Sequence, residues 1–305
     1  LLYWPSLARQ LARADVVHVF SASYFSFLLA PLPAVLVAHA LGKPVVLNYR
    51  SGEAPDHLAR SSLARRVIKS CELNVVPSQF LARVFTTHGI PSTIVPNTVD
   101  VRRFDFRARE PLLPNLLSTR NLEPMYNVAC TLRAFALVQA REVSATLTLV
   151  GGGSQDASLR QLAASLGLRN VRFCGRVPPS EIWKAYAAAD VYVQTPDIDN
   201  MPSSVLEAFS SGTPVVSTNA GGVPAIVEDG VNGLLAATND HRAVAAAVLR
   251  LLDRQDLASR LARNARAACE GYTWPVVRSR WLELYQNLRP GRDESSVAEA
   301  AVRHA

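Results

Sequence analysis

Short β-branched runs alternate with alanine- and leucine-rich stretches along most of the chain. The runs are continuously apolar, as strands buried on both faces are, and the stretches between them repeat their apolar positions every three to four residues, as helices do. Strands are predicted at residues 15–20, 44–49, 73–76 and 92–95, and in a second series at 115–119, 145–150, 171–174, 191–194, 214–217 and 233–235. Helices are predicted at 128–140, 159–166, 180–189, 203–211 and 242–252, with two more near 256–269 and 274–288. This alternation implies parallel sheets with helices on both faces. The fold class expected is therefore α/β, with two Rossmann-like doubly wound domains facing each other across a cleft.

Residues 96–114 carry charges and three prolines with no clean period, and read as an interdomain linker. The expected division is a first, acceptor-side domain over 1–109, a second domain over 110–272, a helix 273–289 packing back on the first, and a flexible tail 290–305. No glycine precedes Gly42, so the first domain lacks the usual first strand and glycine-rich turn. With Leu1 as first residue, it is expected to be incomplete and to expose a sheet edge that lowers solubility. Residues 25–41 are apolar enough to raise the question of a membrane span, but Pro31, Pro33 and His39 interrupt them. A buried helix covering the sheet is the reading preferred. Trp183, Trp274 and Trp281 fall in helical patterns and read as core.

Composition narrows the class. Of 305 residues, 49% are hydrophobic and 19% charged, which excludes a disordered or collagen-like chain. The net charge of +7 comes from 32 basic residues, of which only Lys43, Lys69 and Lys184 are lysines. Its scatter fits solvated faces, or attraction to phosphates or an anionic membrane surface. No nucleic-acid partner is expected. Cys71, Cys130, Cys174 and Cys269 are far apart, which argues against zinc and a disulfide framework and fits a reducing compartment. The expected location is cytoplasmic, with peripheral contact at the membrane face.

The densest candidate chemistry lies at 197–209, DIDNMPSSVLEAF. A strand ends near Gln194, an acidic loop follows, and Pro202 with two serines opens a helix, with Ser as the expected cap. The first-turn amides of Ser203, Ser204 and Val205 would then be free donors at the positive end of the helix dipole. Asp199 precedes that end and Glu207 lies a turn inside, so two carboxylates flank an anion site. An ordinary capped helix with acidic residues near its start accounts for the spacing equally well. Gly151, Gly152 and Gly153 follow a strand and precede a helix. They read either as a phosphate-approaching turn or as a plain tight turn. The dinucleotide fingerprint is absent, which disfavours a nicotinamide dehydrogenase.

Taken together, residues 15–285 resemble family 4 of the retaining glycosyltransferases, which have the GT-B fold. The resemblance is carried by DNMPSSVLEAFSSGTPVVSTNAGGVPAIVEDGVNGLL (199–235), VGGGSQ, FCGRV, YAAADVYV and the hinge-like PNTVD at 96–100. It implies transfer of a sugar from a nucleoside-diphosphate sugar, a UDP- or GDP-sugar, with retention and without a bound metal or permanent cofactor. The implied acceptor is a glycan or lipid-linked saccharide of cell-surface polysaccharide assembly. By position, Glu207 matches the carboxylate on the donor ribose, Asp199 the acid at the transferred sugar, and Arg120 the cation facing the diphosphate. Gly151–Gly153, Arg176, Met201, Ser203, Ser204 and Val205 fall at donor-side positions, and His18 and Arg50 at candidate acceptor-side ones. The chain departs from the family at Asp199 (usually Glu), Met125 (usually Lys), Pro202 (often Gly) and Ala225 (often Glu). Two alternatives stay open: a catalytically weak or inactive nucleotide-sugar-binding protein of the same fold, and a sugar-nucleotide epimerase.

Overall fold

The computed structural model describes residues 3–288, so the tail expected at 290–305 lies outside the described residues. Those up to Pro96 and from Pro275 onward form one compact unit, and Asn97–Trp274 form the other. All ten predicted strands are found, with ends shifted by up to two residues.

In the first unit, α1 (Tyr3–Leu11) leads to β1 (Val17–Ser21). Helices α2 (Tyr24–Leu29) and α3 (Pro31–Ala40) then lead to β2 (Val45–Tyr49). Helices α4 (Ala54–Arg60) and α5 (Ser62–Lys69) lead to β3 (Leu73–Val76), and α6 (Gln79–Thr87) to β4 (Thr93–Ile94). The strands are parallel in the order β1-β2-β3-β4. Every residue of β2 is buried, because both faces are covered. Val45, Leu47 and Tyr49 join the cluster of Phe27, Val35 and Leu58, while Val46 packs with Val75, Val95, Val277 and Trp281. The stretch 25–41 is not the single buried helix expected. It breaks at Ala30, since Pro31 has no N–H to extend α2 and instead occupies the first turn of α3. Its outer side leaves Phe25, Leu29 and Leu36 exposed.

In the second unit, β5 (Asn115–Ser118), α7 (Val128–Arg141), β6 (Thr146–Leu149), α8 (Asp156–Ser165) and β7 (Val171–Phe173) are followed by α9 (Ile182–Ala188) and β8 (Val191–Val193). Then come α10 (Ser203–Ser210), β9 (Val215–Thr218), β10 (Leu234–Ala236), α11 (His241–Asp253) and α12 (Gln255–Ala268). The parallel sheet has the order β10-β9-β8-β5-β6-β7. Alternate residues of each strand enter opposite cores. Leu116, Val191, Val193 and Val216 pack beneath α7 and α11, while Leu117, Tyr192 and Val215 pack with Tyr186, Val205 and Phe209. The chain winds outward from β5 in one direction and from β8 in the other, so β5 and β8 flank the switch point of the sheet. The loops leaving their C-terminal ends meet there, at the place where α/β sheets of this kind bind ligands.

The last helix, α13 (Trp274–Asn287), returns to the first unit. Val277 and Trp281, one turn apart, are its buried residues. Of the three tryptophans read as core, only Trp281 is; Trp183 and Trp274 are exposed, each at a position of its helix that faces solvent.

The stretch 96–114 is not a free linker. From Asn97 it packs on the second unit, with Phe104 buried edge-on against Tyr186, ring centroids 5.5 Å apart. Arg109 explains why. Its buried guanidinium donates to the carbonyls of Arg107, Tyr186, Ala189 and Ser211 and to Thr213 Oγ1, at 2.7–2.9 Å. It thereby satisfies orphan carbonyls at the C-terminal ends of α9 and α10 together. Burial, with Arg107 adding to it and Asp190 opposing, pushes the Arg109 pKa down to about 10, so the group remains charged at neutral pH. Arg109→Lys is expected to destabilise the protein by more than about 3 kcal/mol, since each charge-assisted bond lost is worth roughly 1.5–3 kcal/mol. Equilibrium urea unfolding checks this, and a loss below about 0.5 kcal/mol contradicts it.

Candidate active site

Two loops meet at the switch point. One leaves β5 and runs through Arg120, a 3₁₀ turn at Pro124–Tyr126, and Asn127, whose left-handed backbone and side-chain oxygen cap α7. The other leaves β8 and runs from Gln194 to Pro202. They are tied together at several points. The Met125 carbonyl accepts from the amides of Asp197 (2.9 Å) and Ile198 (3.2 Å), and Asn127 Nδ2 donates to Asp197 Oδ1 at 3.0 Å. Met125, at the position where the resemblance implies a second cation, therefore contributes its backbone to the site.

Helix α10 opens differently from the expectation. Pro202 is its N-cap, with no side-chain cap, and Ser203 is the first helical residue. The Ser204 hydroxyl turns away from capping, accepting from Arg120 Nη1 (3.1 Å) and facing Gln194 Oε1 (3.3 Å). The Val205 amide is not a free donor, because it is bonded to the Pro202 carbonyl at 3.1 Å. That leaves the Ser203 and Ser204 amides as first-turn donors without an acceptor inside the helix. The side chains of Met201 and Val205 lie in the core. Met201 is held by Asn97, whose Nδ2 donates to its carbonyl at 2.7 Å.

Arg120 is the centre of the arrangement. Its side chain is 10% exposed, and Nη2 bonds Asp199 Oδ2 at 2.7 Å. Its guanidinium carbon lies 4.0 Å above the Tyr126 ring, and its Nε is buried without a partner. Burial opposes its charge, but Asp199 and the surrounding tyrosines more than offset this and raise its pKa. Burial also lifts the Asp199 carboxyl above the ordinary range, against the pull of Arg120 and of the Asn200 amide.

Glu207 accepts from the Tyr186 hydroxyl at 2.7 Å. It borders a cavity of about 300 Å³ shared with Thr98, Asp100, Arg103, Val177 and Ile182. Burial raises its pKa, opposed by the Tyr186 hydrogen bond and the charges of Arg103 and Arg120. Tyr186 was missed in the sequence, where a tyrosine in an alanine-rich helix has no signature of chemistry.

The glycine run has a packing explanation. A Cβ on Gly151, whose φ is +146°, would lie 2.2 Å from the Arg120 carbonyl oxygen, and one on Gly153 would lie 2.3 Å from that of Leu122. The Gly151 amide donates to the Gly175 carbonyl at 2.8 Å. A Cβ on Gly152 would meet only the side chain of Arg176, at 3.3 Å, and Arg176 itself is exposed.

His18 and Arg50 lie in the first unit. Both ring nitrogens of His18 have partners there, the Tyr285 hydroxyl and Asn48 Nδ2. Burial, then the Arg50 charge, lowers its pKa. Arg50 Nε donates to Asn48 Oδ1 at 3.0 Å. Among the described residues, no group of three or more His, Cys, Asp or Glu is placed to hold a metal ion, and no helix is long and apolar enough to cross a membrane.

Comparison with known proteins identifies the family and the fold. The family model for glycosyl transferases group 1 matches residues 106–268, more than half of the chain, and that for Glycosyltransferase Family 4 matches residues 1–103. The glycogen synthase of Mycobacterium tuberculosis H37Rv is 27% identical over 312 residues, covering 96% of this chain and 73% of that protein. The D-inositol 3-phosphate glycosyltransferase of Corynebacterium urealyticum is 37% identical over 149 residues, covering 48% of this chain and 35% of that protein. Among solved structures, Anabaena Alr3699/HepE in complex with UDP-glucose superposes with a TM-score of 0.82 at 20% identity, over 93% of this chain and 82% of that one. Sucrose-phosphate synthase of Thermosynechococcus elongatus gives 0.78 at 19% identity, over 94% and 77%. The chain belongs to the group 1 glycosyl transferases and is a glycosyltransferase of the two-domain, parallel-sheet GT-B fold.

Proposed function

We propose that this glycosyltransferase moves a sugar from a nucleoside-diphosphate donor, with retention at the anomeric carbon, and binds the donor diphosphate against the N-terminus of α10. The observation that carries the reading is Arg120. Its buried guanidinium keeps one N–H without a partner and reaches the first turn of α10 through Ser204 Oγ at 3.1 Å, where two amides have no acceptor inside the helix; such donors suit an anion. As the bond from the sugar to the diphosphate breaks, negative charge grows on the departing phosphate oxygens. Arg120 and the amides of Ser203 and Ser204 then stabilise charge where it develops. Asp199 holds Arg120 in place and borders the space for the transferred sugar. Glu207, a turn further on, takes the ribose hydroxyls. The UDP-glucose complex of the Anabaena neighbour makes a UDP-sugar the first donor to test, with GDP-sugars next. In this reading the acceptor is a glycan or lipid-linked saccharide of cell-surface polysaccharide assembly. The net charge of +7 supports peripheral contact with an anionic membrane face.

A binding-only reading is favoured by two observations: the Arg120 charge is already matched by Asp199, and Met125 adds no second cation. The two readings separate in one experiment. Thermal-shift screening of UDP-, GDP- and ADP-sugars is expected to give at least one stabilising donor, and that donor should be turned over by transfer or slow hydrolysis. Stabilisation with no turnover supports the binding-only reading, and no stabilisation by any donor contradicts both.

A further inference from the structure

We infer that Tyr186 is a positioning residue for Glu207: its phenol fixes the carboxylate in the orientation that receives the donor ribose. The inference rests on the ribose role proposed for Glu207. Tyr186 is fully buried, with its ring held between Phe104, at 5.5 Å, and Tyr192, at 5.8 Å. A ring so confined delivers its hydroxyl to one place. That hydroxyl lies 2.7 Å from Glu207 Oε2, 2.7 Å from Thr119 Oγ1 and 3.1 Å from the Ser204 carbonyl. The phenol has one proton and three oxygens around it. With Thr119 donating to the phenol, its own proton is free for the charged acceptor, the carboxylate, where a hydrogen bond is strongest. Oε2 is thereby held by the phenol, while Glu207 lines the cavity shared with Thr98, Arg103 and Val177. The same phenol touches the first turn of α10 through the Ser204 carbonyl, so one buried side chain sets both the carboxylate and the helix end.

The charged and titratable groups facing Glu207 are Tyr186 from α9, Tyr192 from β8, Arg120 from the β5 loop, and Arg103 with Asp100 from the segment before β5. A hydrogen bond to the carboxylate favours its charged form. Its loss therefore raises the pH below which Glu207 is neutralised.

The test compares UDP with 2′,3′-dideoxy-UDP, which lacks both ribose hydroxyls, by calorimetry across pH, with the GDP and ADP pairs run alongside. In the wild type the ribonucleotide is expected to bind more tightly, and Glu207→Ala should abolish the preference. Tyr186→Phe is expected to shrink the preference by about tenfold, the size of one charge-assisted hydrogen bond. It should also shift the acid limb of binding to higher pH, and raise the donor KM while changing kcat by less than about threefold. The shrinkage should vanish in the Glu207→Ala background. A Tyr186→Phe variant that melts earlier but keeps the preference and the acid limb overturns the inference alone. A wild type with no ribose preference in any pair, or one unaffected by Glu207→Ala, overturns the ribose reading and the inference with it. If Tyr186→Phe does not fold, 3-fluorotyrosine at position 186 replaces it: the more acidic phenol keeps the packing and donates more strongly to Glu207, so the acid limb of binding should move to lower pH. An unmoved acid limb there overturns the inference in the same way.

Discussion

Arg120→Ala is expected to lower sugar transfer about 10²–10³-fold and to destabilise the protein by about 3–5 kcal/mol. The first effect follows from removing a preorganised cation from developing charge, which typically has that size. Met125 supplies no side-chain cation to compensate. The second follows from Asp199. Its carboxylate, 11% exposed, is paired with Arg120, and removing one partner of a buried pair leaves the other desolvated and unmatched. The two effects are separable. In Arg120→Ala/Asp199→Ala no buried charge is stranded, so most of the lost stability should return while transfer stays low. Chemical denaturation and donor turnover measured on the three variants check this. An Arg120→Ala variant within threefold of wild-type turnover contradicts the catalytic assignment, and a double variant no more stable than the single contradicts the account of the ion pair.

Gly151→Ala should be nearly as damaging, although it alters no reactive group. Its φ of +146° is a conformation that only glycine adopts freely, and forcing another residue there costs about 1–3 kcal/mol. The new Cβ would also stand 2.2 Å from the Arg120 carbonyl oxygen, and relieving such overpacking costs about 1–3 kcal/mol more. What must yield is backbone, and it is the backbone of Arg120 itself. The variant should therefore lose both stability and donor affinity. Gly152→Ala is the matched control, because its Cβ meets only the flexible side chain of exposed Arg176 at 3.3 Å. Thermal melts and donor KM values for both variants decide the point. A Gly151→Ala protein within about 1 kcal/mol of wild type would show that the β5 loop can move without consequence.

How much of this was legible in the sequence differs from residue to residue. The central strands could be read because they are buried on both faces; Val45–Tyr49 and Val191–Val193 are buried at every position and needed no tertiary information. Asp199, Glu207 and Arg120 could be placed through the order of motifs along the chain. Their pairing could not, because an ion pair between residues 79 apart depends on which strands are neighbours at the switch point. Arg109 was read as part of a linker since its charge masks its burial; only the folded chain brings four carbonyls around it. Tyr186 was hidden for the converse reason, as a tyrosine on an apolar helix face reads as core and its hydroxyl goes unremarked. The amide of Val205 shows the limit of local rules, since the Pro202 carbonyl occupies a donor that the helix start promised to a ligand.

The central claim is that a donor diphosphate sits on the first turn of α10 beside Arg120. The most direct measurement is a crystal structure of the protein soaked with UDP, GDP or ADP, whichever most raises its melting temperature. The account predicts diphosphate oxygens within hydrogen-bond distance of the Arg120 guanidinium and the Ser203 and Ser204 amides, with the ribose at Glu207. A nucleotide ordered elsewhere on the second unit, with Arg120 still bound only to Asp199 and Ser204, would contradict it.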